Sequence, residues 1–256
     1  MADLNTTAQQ RAARRPSPTF VALVVAFALA GWACWTGWGS PGVAVFLFVV
    51  AGWLVSLCLH EFAHAVVAYR SGDRSVAARG YLSLDPLKYS DPLLSFGLPL
   101  LFVLLGGIGL PGGAVWVGAI PGRVRHTLVS AAGPLVNVAW AVLLMAAVAS
   151  AEPSPEREAF WAGVAYLAFL QVTAALLNLL PVPGLDGFGI LEPWLPRSWL
   201  RVLAPVRAYG YLLLFALLWV PEVNRWFFGT VLGTLLAGGV PVHLIAAGDD
   251  LFRFWS

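Results

Sequence analysis

Residues 42–69 form one apolar run that carries three ionisable side chains, His60, Glu61 and His64. About 20 apolar residues cross the hydrocarbon core of a bilayer, so the run is long enough to span it. An ionisable side chain at the centre of a span costs roughly 2.5–3.5 kcal/mol on insertion scales, so it turns to protein or water and marks a working site. Composition agrees with lipid as the solvent. The 256 residues are 59% hydrophobic and only 11% charged, with mean hydropathy +0.79, whereas a soluble chain carries about 25% charge. The sequence therefore describes a polytopic membrane protein. It has no basic domain of the kind that binds nucleic acid. Cys34 and Cys58 both lie in apolar segments and imply no disulfide framework.

Apolar length places spans at about 19–38, 42–69, 127–149, 159–181, 206–221 and 227–247. Arg11, Arg14 and Arg15 precede the first, and apolar residues continue past its small-residue stretch through Trp32, Cys34 and Trp35 to Trp38, as in an uncleaved anchor helix. The stretch 92–120 is apolar but dense in breakers, among them Pro99, Gly106, Gly107 and Pro111, and Pro121 follows it directly. With the N-terminus in the cytoplasm and six helices spanning, Arg and Lys divide thirteen inside to two outside, Arg157 and Arg225. That bias requires 92–120 to enter and leave on one side, as a re-entrant segment or short hairpin. Residues 75–84, SVAARGYLSL, are the best candidate for a short strand. The expected fold is all-α and polytopic, with about six transmembrane helices and a re-entrant or short β-strand region between the first two core helices. Residues 1–18 read as a cytoplasmic tail and 19–256 as a single membrane domain with its core at 42–190.

His60 and His64 are four residues apart, so a helix sets both imidazoles on one face a turn apart. Two neutral imidazoles in that relation can grip one Zn²⁺. Glu61, about 100° round the helix, lies near enough to move a proton for a water activated there. This is the H-E-x-x-H zinc-protease pattern. Cys58 points to the far side of the helix and reads as packing.

Catalytic zinc takes three protein ligands, and the third must come from elsewhere. His126, His243, Asp85, Asp91 and Glu192 are each available. Asp186 is better placed, because Pro181, Pro183, Gly184 and Gly187 break the end of a span around it and can turn its carboxylate inward. A turn aspartate before glycine would look the same. Asn137, inside the span 127–149, either bridges helices or receives an unwound substrate backbone.

HEFAH at 60–64, GPLVN at 133–137 and NLLPVPGLDG at 178–187 together resemble the site-2 protease family of intramembrane zinc metalloproteases. The likeness covers about 42–190 and is closest to small bacterial members without PDZ or CBS domains. It implies zinc held by His60, His64 and Asp186, Glu61 as catalytic base, and Asn137 and Asn178 holding substrate near the metal. It also implies an enzyme that cuts transmembrane segments of other membrane proteins, while the charge bias puts its N-terminus and active site toward the cytoplasm of a bacterial cell membrane. The expected partners are such a substrate and the surrounding lipid, with the oligomeric state left open. An inactive scaffold of the same fold is disfavoured by intact Glu61. A metal-ion transporter is disfavoured by the lack of an internal repeat.

Overall fold

The computed structural model describes residues 15–88, 120–151, 154–207 and 209–255. Its first helix, α1 (Pro18–Thr36), starts where Ser17 caps the backbone N–H of Phe20 at 3.1 Å and Pro18 presets the first turn. It stops at Gly37, whose φ of 68° admits a left-handed cap. Helix α2 (Pro41–Arg70) then returns antiparallel. A short α3 (Ser75–Ala78) follows, then α4 (Arg123–Ala149) and α5 (Glu158–Asn178).

Two tethers set the ends of this bundle. Ser17 N–H donates to the Ser83 carbonyl at 2.7 Å, which puts the start of α1 beside the turns that follow α2. At the other end the Arg157 guanidinium lies 4.0 Å from the Trp35 ring centroid, joining the end of α1 to the start of α5. Helices α2 and α5 form the centre. Protein covers 67% of the apolar window of α2 and 78% of that in the span containing α5, against 17% for α1 and 33% for α4. The ionisable residues of α2 therefore lie on one of the most enclosed helices, while α1 and α4 keep long apolar faces for lipid.

Beyond α5 the helices shorten. They are α6 (Asp186–Leu191), α7 (Arg197–Arg207), α8 (Gly210–Trp219), α9 (Pro221–Ala237) and α10 (Val242–Phe252). The chain bends by 83° between α7 and α8 and by 117° between α9 and α10. Among the described residues, four helices are thus long and apolar enough to cross a membrane, or up to six if each bent pair is one span. The spans expected at 206–221 and 227–247 coincide with parts of these bent pairs. In the second, Gly239 takes a φ of 80° and Pro241 lacks the N–H that would carry the helix on. Helix α10 then lies back against α5, burying Leu244, Ile245 and Phe252.

The strand expected at 75–84 does not form, and no strand occurs among the described residues. Local hydrogen bonds win there. Asp73 accepts from the Ser75 N–H at 2.9 Å, and the chain closes helical turns from Arg74 to Arg79. Gly80 then reverses direction at a φ of 77°, and two 3₁₀ turns follow. The re-entrant stretch expected at 92–120 lies, up to residue 119, outside the described residues.

The loop between α5 and α6 folds so tightly that a Cβ on Gly187 would run into the carbonyls of Leu179 and Leu180. Gly187→Val should therefore destabilise the fold by about 1–3 kcal/mol, the usual cost of overpacking. The check is a lower unfolding midpoint in detergent.

Candidate metal centre

His60 and His64 project from the same face of α2 into the bundle, with relative exposures of 5% and 7%. Asp186 reaches them from the first turn of α6. Its Oδ2 lies 3.2 Å from His60 Nε2 and 3.3 Å from His64 Nε2, and the two Nε2 atoms are 3.1 Å apart. Three donor atoms thus form a nearly equilateral triangle, contributed by residues 126 positions apart at the extremes. Ligands bound tetrahedrally to Zn²⁺ at about 2.0–2.1 Å sit about 3.3 Å from one another. The donor set and its spacing fit that ion.

The outward-facing ring nitrogens support the fit. His64 Nδ1 is 2.7 Å from the Val129 carbonyl, which can only accept, so Nδ1 carries the proton and Nε2 keeps its lone pair for a metal. His60 Nδ1 is 2.5 Å from Asn137 Oδ1. Helix α4 comes close enough that a Cβ on Gly133 would collide with Nε2 of both histidines. A methyl group there would occupy part of the space between the ligands.

The position of Asp186 depends on the loop before it. Leu185 is extended and its N–H closes a turn onto Val182 at 3.0 Å, so α6 starts abruptly at Asp186. Helix α6 is pinned to α4 by Thr127, whose hydroxyl donates to the Ile190 carbonyl at 2.9 Å and accepts from Trp194 Nε1 at 2.9 Å. That leans the carboxylate toward α2. Glu61, 2% exposed, sits beside His60 in the same enclosed region.

The other candidate ligands are elsewhere, and His60, His64 and Asp186 are the one such donor cluster among the described residues. His126 is half-buried in the first turn of α4, and His243 is exposed on α10. Asp85 accepts from the Leu87 N–H, and Glu192 pairs with Arg207 at 3.0 Å. Asp91 lies outside the described residues. Cys58 is fully buried in an apolar cluster with Ala65, Ala68 and Val76, as packing requires. Asn137 and Asn178 are both buried, at 4% and 6% exposure.

Sequence reasoning passed over three groups. Gln171 and Ser56, also buried, connect to Asn137 by hydrogen bonds. Each is a polar side chain within a lipid-length helix, which is a signal that could have found them. The Val129 carbonyl is backbone and leaves no mark in the sequence.

Comparison with known proteins points the same way. The chain is 51% identical over 252 residues to "Putative zinc metalloprotease Rip2" of Mycobacterium tuberculosis, covering 96% of this chain and 97% of that one. This chain belongs to the Rip2 family. The Rip2 of Mycolicibacterium smegmatis is 49% identical over 247 residues, with 94% and 95% coverage. A more distant relative, "Putative zinc metalloprotease YwhC" of Bacillus subtilis, is 31% identical over 188 residues, 68% of this chain and 81% of its own. No family model and no solved structure matches the chain. The homologues are named for zinc, and the three-donor triangle is a site that can hold it.

Gly133→Ala should cost the protein most of its bound zinc while leaving helix content intact. Elemental analysis of the purified membrane protein, read beside far-ultraviolet circular dichroism, checks both. Asp186→Ala should lower zinc as well, by removing a ligand instead of filling the space between ligands.

Proposed function

We propose that the chain is an intramembrane zinc endopeptidase of the site-2 protease type, which hydrolyses peptide bonds within transmembrane segments of other membrane proteins. The observation that carries this reading is the position of the donor triangle. Its two histidines belong to an H-E-x-x-H sequence on a buried helix of lipid-spanning length. From His60 to Arg70 is about 15 Å of helix. With Arg70 at the cytoplasmic interface, the centre lies within the hydrocarbon region, nearer the cytoplasm. The bias of Arg and Lys supports that orientation in a bacterial cell membrane.

Zinc in such a donor set acts as a Lewis acid that activates water and polarises a carbonyl. The chain supplies the rest. Glu61 accepts the proton of the attacking water on its carboxylate and passes it to the leaving amide nitrogen. Enclosure by α4 and α5 limits bulk water, which strengthens the interaction of Glu61 with developing charge. Asn178, at the end of α5, and Asn137, beside His60, receive the backbone of the substrate. A peptide bond within a helix is shielded by the helix's own hydrogen bonds, so the substrate must unwind locally, and buried amides offset the groups it exposes.

The test is co-expression of tagged single-span membrane proteins with the wild type and with Glu61→Gln. Cleavage should fall by about 10²–10⁴-fold in the variant, the usual contribution of a general acid–base group. Its zinc content should stay at the wild-type level. Equal cleavage by both would remove Glu61 from the mechanism, and cleavage confined to extramembrane loops would remove the membrane from it.

A further inference from the structure

A line of four buried side chains runs away from the metal centre, and none of them but His60 belongs to a ligand set. The hydroxyl of Ser56 donates to the Trp53 carbonyl at 2.8 Å. Gln171 Nε2 donates to Ser56 Oγ at 2.7 Å, and Asn137 Nδ2 donates to Gln171 Oε1 at 2.9 Å. Asn137 Oδ1 then meets His60 Nδ1 at 2.5 Å. The members come from α2, α5, α4 and again α2, and all are 5% exposed or less.

The direction of every bond in this line follows from its far end. A backbone carbonyl can only accept, so the Ser56 proton points to Trp53 and its oxygen is left to accept. An amide presents one donor end and one acceptor end, nearly identical in shape. Ser56 needs a donor, so Gln171 turns its NH₂ toward α2 and its oxygen toward Asn137. Asn137 must then offer its NH₂ to Gln171 and its oxygen to His60. That oxygen accepts only from a protonated Nδ1. His60 is thereby held in the tautomer whose Nε2 lone pair faces His64 and Asp186. Were Asn137 turned over, its NH₂ would face Nδ1, the proton would move to Nε2, and the ligand atom would be blocked.

We propose that Gln171 is a positioning residue for the metal centre. It acts through Asn137 to fix the tautomer and ring plane of His60, and the Trp53 carbonyl sets the polarity of the whole line. This inference rests on the reading of His60, His64 and Asp186 as a zinc site. Both histidines are then governed by the same device. A backbone carbonyl fixes His64 directly through Val129, and another fixes His60 through three intervening side chains. Asn137 keeps one N–H beyond the line, which is the group it has for substrate. Outer partners of a metal-bound imidazole typically contribute 10–100-fold in metal affinity.

The test compares zinc affinity in the full-length, detergent-purified wild type with Gln171→Met, Gln171→Glu and Ser56→Ala, by competition against a chelator. Met matches Gln in length and lacks both hydrogen bonds, so affinity should fall by about 10–100-fold. Glu in either protonation state keeps an oxygen for Asn137, so it should restore affinity to within a few-fold of wild type. Ser56→Ala leaves Gln171 in place without its polarity anchor and should fall between the two. The visible spectrum of the Co²⁺-substituted protein should change in Gln171→Met and return in Gln171→Glu. Wild-type affinity and spectrum in Gln171→Met would overturn the proposal, with the zinc site intact. A wild type that takes up no zinc would overturn the zinc reading and this inference together. Should Gln171→Met fail to fold, Ser56→Ala against Gln171→Glu decides, since equal affinity in those two would also overturn it.

Discussion

Three ionisable side chains on a helix of lipid-spanning length govern much of what surrounds them. His60, Glu61 and His64 cannot be left facing lipid, where each would cost several kcal/mol without a polar partner. The helix that carries them is accordingly among the most covered of the spans, and its neighbours bring polar groups to meet it. From α4 come the Val129 carbonyl and the Asn137 amide, from α5 the Gln171 amide, and from the broken end after α5 the Asp186 carboxylate. Each satisfies a donor or acceptor that hydrocarbon would leave bare. The outer faces of α1 and α4 have no such duty and expose Leu29, Leu135 and Leu143 instead.

Close approach is the second requirement, and it falls on backbone more than on side chains. Helix α4 reaches the two imidazoles because position 133 has no Cβ, and the loop before α6 closes because position 187 has none. Proline contributes from the opposite side. Pro181 and Pro183 end α5 early, which lets Asp186 start a new short helix at the depth of the histidines. The metal centre thus depends on where helices stop and how nearly they touch, besides the identity of its ligands.

Much of the site was legible in the sequence because its parts follow local rules. The i,i+4 spacing of His60 and His64 guarantees a shared face on any helix. The broken Pro-Gly context of Asp186 marked it among several carboxylates and histidines, and the fold brings that residue to the triangle and leaves His126, His243 and Glu192 outside it. The strand expected at 75–84 fails for a local reason, because Asp73, Ser75 and Gly80 close turns that hold the segment in helical conformation. The expected spans at 206–221 and 227–247 fall on bent helix pairs, each of which can still be one broken span. Apolar length measures how much lipid a segment can face, and it is blind to bends of 83° and 117°.

The sequence by itself determined that the chain lives in a membrane, that His60, Glu61 and His64 share one helix, and that Asp186 sits at a break. These are consequences of composition, helical period and Pro-Gly chemistry, which act over a few residues at a time. Only the tertiary structure decided that the donor atoms of His60, His64 and Asp186 lie 3.1–3.3 Å apart. It alone ran a directed line of hydrogen bonds from Trp53 through Ser56, Gln171 and Asn137 to His60. Such distances arise from the packing of three helices against one another, and the orientation of each amide depends on a carbonyl several bonds away. No local pattern in the sequence encodes either.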